Sequence, residues 1–416
     1  MLPAARPPHP TSDFQRATRD QALQMLDAFR PLMGTAYSRE RNYDHGPDHH
    51  HSVSRLSPFI RRRLITEPEV VRAAISAHGL RKAEKFVQEV FWRGYFKGWL
   101  EHRPGVWAAY RTGFENDLER ADRDTELSER LQAATTGATG IDCFDAWARE
   151  LLDTGYVHNH ARMWFASIWI FSLGLPWRLG ADFFYRHLLD GDPASNTLGW
   201  RWVAGLHTRG KTYMARVDNI NRYTGNRFNP SRQRIEQHRR HVVDEEPNGH
   251  PAPLPLRRPI MPATDVPSVW LLTEEDCCLE DFDLDRHDIR GVATLKASHL
   301  RASLPVSDLV TAFEDEALAD SAQRTGRQTQ FETATDPAWL ADWAATNGAS
   351  QIITSYVPVG PLRDWLHQAT PALKDSGIAL CEWQRPWDIK VWPHAKAGYF
   401  KVKNQIPKIV AELGLA

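Results

Sequence analysis

The sequence predicts an α-helical first part followed by an α/β second part built on a parallel sheet. Three observations carry this. Before residue 240, apolar residues recur at helical spacing and alternating stretches are few. Residues 246–267, EPNGHPAPLPLRRPIMPATDVP, are proline-rich and have no period, as in a linker. Beyond them, short apolar runs alternate with helical segments. The boundaries that follow are 1–245, 246–267 and 268–416.

Taken in order, residues 12–33 read as a helix, with Ser12 or Asp13 as cap and Phe14, Ala17, Met25, Leu26 and Phe29 as its apolar stripe. Residues 38–52 are polar and turn-rich, so they read as a loop. Helices are expected over 68–78 and 80–101, and over 142–154, where Phe144, Trp147 and Leu151 share a face and Gly155 suits the stop. Another covers 158–174 and ends near Gly174 and Pro176. After the linker, residues 269–272, 291–295, 351–354 and 378–381 look like buried strands. Helical segments at 306–323, 337–346 and 360–375 lie between them. Strand–helix alternation implies parallel strands with helices on the sheet faces. Neither a GxGxxG nor a Walker-type loop occurs there.

Composition narrows the class. Of 416 residues, 42% are apolar and 25% charged, which supports a sizeable core. There is no run of eighteen apolar residues and the start lacks an apolar signal segment, so no membrane contact is expected. Cys143, Cys277, Cys278 and Cys381 lack metal or redox spacing, and the expected compartment is the cytoplasm. Sixteen tryptophans suit a core, electron transfer or stacking on planar rings. Residues 1–258 carry a net charge of +7 and the rest −8, which suggests two domains with different partners. A basic first half is compatible with a nucleic-acid surface.

The chemistry-bearing segments are Ser54-Arg55-Leu56-Ser57-Pro58, residues 88–93 (QEVFWR), residues 155–202 with their DGDPASNTLGWRW ending, and Arg227-Phe228-Asn229-Pro230. In this order and separation, over residues 40–230, they resemble the FAD-binding domain of the DNA photolyase/cryptochrome family. The implied cofactor is FAD. Ser54, Arg55, Leu56 and Ser57, at a loop entering a helix, would take its pyrophosphate. Tyr43 is the candidate for an upstream phosphate-side tyrosine. Without the other motifs the serines read equally well as helix caps. Asn159, Arg162 and Met163 fall on one helix face. The resemblance pairs Arg162 with Asp190 beside the isoalloxazine and puts Arg93, Asn159 and Asp192 on the cofactor. Asn196 would face flavin N5; Asn there is the photolyase choice.

By the same resemblance Glu89, Trp92, Met163 and Trp202 would hold a flipped pyrimidine dimer, with His160 at its edge. The tryptophans alone also suit a core. Trp177 and Trp200 match the first two members of a tryptophan electron chain. Departures are Val53 for a threonine, His160 for an arginine, Thr197-Leu198 for Asn-Gly, and no tryptophan near Asp124 for the third chain member. Trp147, Trp164 and Trp169 are substitutes that the sequence does not rank. His49-His50-His51 reads as a polar loop more readily than as a metal site, and no metal is expected. Arg61-Arg62-Arg63 and Arg232, Arg234, Arg239 and Arg240 suit either phosphates or a solvated face.

Residues 337–403 are similar to the end of the family's antenna domain, with Arg363-Asp364 opening a helix. That implies a Rossmann-like, antenna-like module placed after the flavin module. Another doubly wound domain remains the alternative. An antenna chromophore, if any, is not specified. Its acidic charge suggests that it does not hold DNA. The resulting expectation is a monomeric, blue-light-dependent deoxyribodipyrimidine photo-lyase acting on UV-damaged DNA. A cryptochrome-like photoreceptor is the first competitor. (6-4) photoproduct repair is disfavoured by Asn159 and Met163, and a flavin-free helical interaction protein is the third reading.

Overall fold

Local chemistry sets the first helix. Thr18 accepts a hydrogen bond from Gln21 N and caps α1 (Arg19–Phe29). The computed structural model describes residues 16–47, 49–236, 245–246, 248–278 and 280–416. The expected caps Ser12 and Asp13 lie outside these, as do Phe14, Arg239 and Arg240. There follow α2 (Thr35–Glu40), α3 (Ser57–Arg61), α4 (Glu67–Glu101), α5 (Pro104–Arg123), α6 (Thr125–Thr136) and α7 (Asp142–Thr154). Then come α8 (Asn159–Ser167), α9 (Trp177–His187), α10 (Pro193–Val203), α11 (Val217–Tyr223) and α12 (Arg232–Glu236).

Two expected helices merge into the 35-residue α4. It opens on a Thr66/Glu69 capping box. It breaks at Gly79, whose φ of 69° and ψ of 152° are accessible to glycine almost alone. Helix α7 has its expected bounds and stops at left-handed Gly155. Helix α8 continues into a π-turn, Ile168–Ser172, before Gly174.

The second part is β1 (Ser268–Thr273), β2 (Ile289–Lys296), α13 (Asp308–Arg324), β3 (Thr329–Thr333), α14 (Trp339–Thr346), β4 (Gln351–Ser355), α15 (Pro361–Gln368), α16 (Thr370–Asp375) and β5 (Ala379–Trp383). All strand pairs are parallel, in the order β3-β2-β1-β4-β5. Val269, Leu271, Ala293, Leu295 and Ile352 pack on α14–α16. Helix α13 packs on β1 and β2 and adds Val310, Phe313, Ala317 and Leu318 to the core of the helical part.

The chain then turns back. Helices α17 (Pro386–Val391), α18 (Phe400–Lys403) and α19 (Ile406–Glu412) follow the sheet, and α17 and α18 pack on α4. Gly98 makes room for this: a Cβ there would lie 2.8 Å from the Trp392 backbone. Trp387, Val391, Trp392, Tyr399 and Val402 thereby join the helical core. Among the described residues, no helix is long and apolar enough to cross a membrane.

Candidate functional site

Three helices build the site. Asp192 caps α10 by accepting Ser195 N at 2.8 Å. Its other oxygen, Oδ2, faces Lys97 Nζ (3.3 Å), Arg93 (3.6 Å) and Arg61 (3.9 Å). Arg93 and Lys97 are one turn apart on α4, so α4 supplies two of the three cations, the end of α3 the third, and the cap of α10 the acid. Burial pushes the Asp192 carboxyl up, but the three cations outweigh it and hold the group well below its ordinary range. Asp190 lies two residues earlier and pairs with Arg162 at 2.9 Å. Burial again opposes ionisation there, and Arg162 overrides it, so the net shift is downward. Arg162 is itself fixed by donating Nε to Val157 O at 2.8 Å. Asn196 donates its amide nitrogen to Ala181 O at 2.7 Å, which orients its oxygen the other way.

Ser54 Oγ accepts from Leu56 N, and Ser57 opens α3. Arg55 between them has a φ of 55°, rare for a side-chain-bearing residue, and its guanidinium lies over Tyr156. Leu56 is fully buried. Tyr43 packs edge-on against Tyr223, 5.1 Å between centroids, and Asn159 is exposed at the start of α8. Met163 is half-buried on the same helix, next to Arg162.

Aromatic contacts hold the expected lesion-side residues Trp92, Trp202 and His160. Glu89 and Trp92 are half-buried on α4. Glu89 is ion-paired with Arg41, yet burial outweighs that cation and raises its carboxyl. Trp92 stacks on Tyr399, 3.7 Å between centroids and 11° between planes. Tyr399 is fixed by donating its hydroxyl to Gln88 O at 2.8 Å. Trp202 packs on Tyr213 at 5.4 Å, and His160 on Trp164 at 4.1 Å. Sequence reasoning missed Tyr399, because its partner sits 307 positions away and no local pattern marks it.

Trp200 and Trp177 are buried on α10 and α9. Trp169, in the π-turn, meets Trp200 at 6.1 Å. Trp147 and Trp164 stack on each other at 5.5 Å. From Trp177 the next rings are Tyr110 (5.9 Å) and then Trp107 (5.4 Å). Asp124, at the expected third position, caps α6.

Both readings of Arg61-Arg62-Arg63 are overturned. The three are buried and ion-paired with Glu274, Glu275, Asp276, Glu67 and Asp388. Arg232 pairs with Asp218 and Glu236, and Arg234 donates to Gly140 O and Thr139 O. His50 is buried against Glu150 at 2.8 Å, not in an open polar loop. Among the described residues no group of three His, Cys, Asp or Glu could hold a metal.

Residues 86–241 match the model of the FAD binding domain of DNA photolyase. Deoxyribodipyrimidine photo-lyase of Streptomyces griseus is 38% identical over 158 residues, covering 38% of this chain and 33% of the relative. Its counterpart from Thermus thermophilus is 34% identical over 187 residues, covering 45% and 42%. This segment belongs to the photolyase FAD-binding family. FAD is therefore its cofactor. The residues fit it: Asp192 Oδ2, Thr197 Oγ1 and Arg93 Nε are buried without a hydrogen bond among the described residues, and a Cβ on Gly199 would enter open space. A bacterial class III photolyase from Agrobacterium tumefaciens superposes with a TM-score of 0.42 at 29% identity, over 50% of this chain and 43% of that one. The matches cover about a third to two-fifths of the length of the curated relatives.

Proposed function

We propose that this chain repairs cyclobutane pyrimidine dimers in UV-damaged DNA under blue light, as a flavin module (1–245), a linker (246–267) and an antenna-like module (268–416). The observation that carries this reading is the packing of α4 on α10. It puts Arg93 and Lys97 on Asp192, and the same two helices carry Glu89, Trp92 and Trp202, all half-buried. FAD, when bound, supplies the light-driven electron that opens the dimer. Ser54, Arg55 and Ser57 hold its phosphate side. The ionised Asp190–Arg162 pair and Asp192 hold its polar ring edge, and Asn196 presents its amide oxygen. Trp92 and Trp202 stack on the flipped bases, worth about 1–3 kcal/mol each, against an unstacking cost of a few kcal/mol. Glu89 meets the lesion through Oε2, since Oε1 is taken by Arg41. Its raised carboxyl favours a proton there.

A photoreceptor without repair is the second reading. The Tyr399 ring on Trp92 and the Arg41 pair on Glu89 favour it, because each occupies a lesion-side group. The deciding experiment gives illuminated, flavin-loaded protein oligonucleotides with either lesion, single- and double-stranded. Repair expects loss of cyclobutane dimers, reduced at least tenfold in Glu89→Ala. Full flavin content with no loss of either lesion selects the photoreceptor.

A further inference from the structure

Strand β1 ends at Thr273, and Glu274, Glu275 and Asp276 follow at its carboxyl end. That end lies where strand order reverses between β1 and β4, the place where doubly wound sheets usually take a ligand. Here arginines fill it. Glu274 is a hub for three of them: Arg62 (3.2 Å), Arg301 (3.2 Å) and Arg61 (3.4 Å). Each arginine also donates to the backbone of the loop that leads into α10. Arg61 reaches Gly191 O (2.9 Å), Arg62 reaches Leu189 O (2.6 Å), and Arg301 reaches Leu188 O (3.2 Å). Asp190 and Asp192 flank Gly191. Glu275 holds Arg61 at 2.7 Å and Lys97 Nζ at 3.2 Å, and the same Nζ lies 3.3 Å from Asp192.

We propose that Glu274 and Glu275 of the sheet are positioning residues for the flavin loop, and that Lys97 relays the charge of Glu275 to Asp192. The proposal rests on the reading of Asp192 as a flavin-side residue. Stability alone gives little reason for the arrangement, because an apolar replacement of a buried ion network is often as stable or more so. A rigid loop with a set charge is a better reason. The carboxylates that would meet a ligand at the sheet crevice are already engaged by this chain's own arginines. The sheet therefore serves the flavin through this contact.

The test measures flavin content and the midpoint potential of bound FAD in the full chain. Reduction adds negative charge, so a more positive surrounding raises the potential. Glu275→Gln leaves Lys97 and Arg61 less compensated and should raise it. Lys97→Met leaves Asp192 less compensated and should lower it, while Lys97→Arg should stay near wild type. General loosening would move Glu275→Gln and Lys97→Met the same way. Shifts of equal sign, or no shift in either folded variant, overturn the proposal. If Lys97→Met does not fold, Glu275→Gln decides alone: an unchanged or lower potential overturns it. A wild-type chain that binds no flavin instead overturns the flavin reading itself.

Discussion

His158 caps α8 and is buried, with His50 stacked nearby. Burial lowers its pKa to about 3. In the unfolded chain the same imidazole takes a proton near 6.5. Between those values the unfolded state binds more protons, so stability falls as pH drops from about 6.5 toward 3. At pH 5 the loss from this residue is about 2 kcal/mol. His158→Asn keeps a capping oxygen and has nothing to titrate. Its urea-unfolding free energy should fall by about 2 kcal/mol less than that of wild type between pH 7 and pH 5; equal losses would refute the assignment. At this scale the sequence was legible where a motif is local. Arg162 and Asp190, 28 positions apart, do pair. It was not legible for Arg61-Arg62-Arg63, whose acidic partners Glu274, Glu275 and Asp276 lie more than 210 positions away. Three consecutive cations look the same whether they face water, phosphate or buried carboxylates.

Elements were legible in proportion to their patterning. Helix α7 has a clean apolar face and a glycine stop, and both showed in the sequence. Strand β3, TQFET, escaped notice because it is a polar edge strand with only intermediate and exposed residues. Helices α17–α19 escaped because their apolar faces answer to α4 and the helical core, not to the sheet they follow. That docking has a narrow steric requirement at Gly98. A methyl group there would sit 2.8 Å from both Cα and Cδ1 of Trp392, and backbone cannot step aside as a flexible side chain can. Gly98→Ala should therefore cost about 1–3 kcal/mol in urea unfolding, despite alanine's better helix propensity. A variant as stable as wild type would mean that α4 and the Trp392 turn are not in contact.

At the scale of the molecule, the opposite charges of the two halves suggested two separate partners. A large part of that complementarity is instead satisfied within the chain. The arginines of the helical part meet the carboxylates beyond β1, and Tyr356 and Val359 close on Glu101 at 2.5 and 2.6 Å. Apolar packing crosses the same boundary, since α13 and the segment after β5 contribute to one hydrophobic core with the helical part. The connector is different. Leu254, Ile260 and Met261 are exposed, and residues 251–263 have no regular secondary structure. Hydrogen bonds such as Leu254 N to His102 O at 2.7 Å, Arg103 Nε to Pro251 O at 3.0 Å and Glu382 N to Ile260 O at 2.8 Å hold it, but no helix or sheet ladder protects it. A protease should thus cut between 251 and 263 before it cuts the described helices and strands on either side. The two fragments should then co-elute from a sizing column in native buffer, and still at 1 M salt, because buried pairs are screened far less than surface ones. They should part only at denaturant concentrations that unfold the intact chain. Separation in plain buffer would mean that the connector, not the shared core, keeps the two parts together.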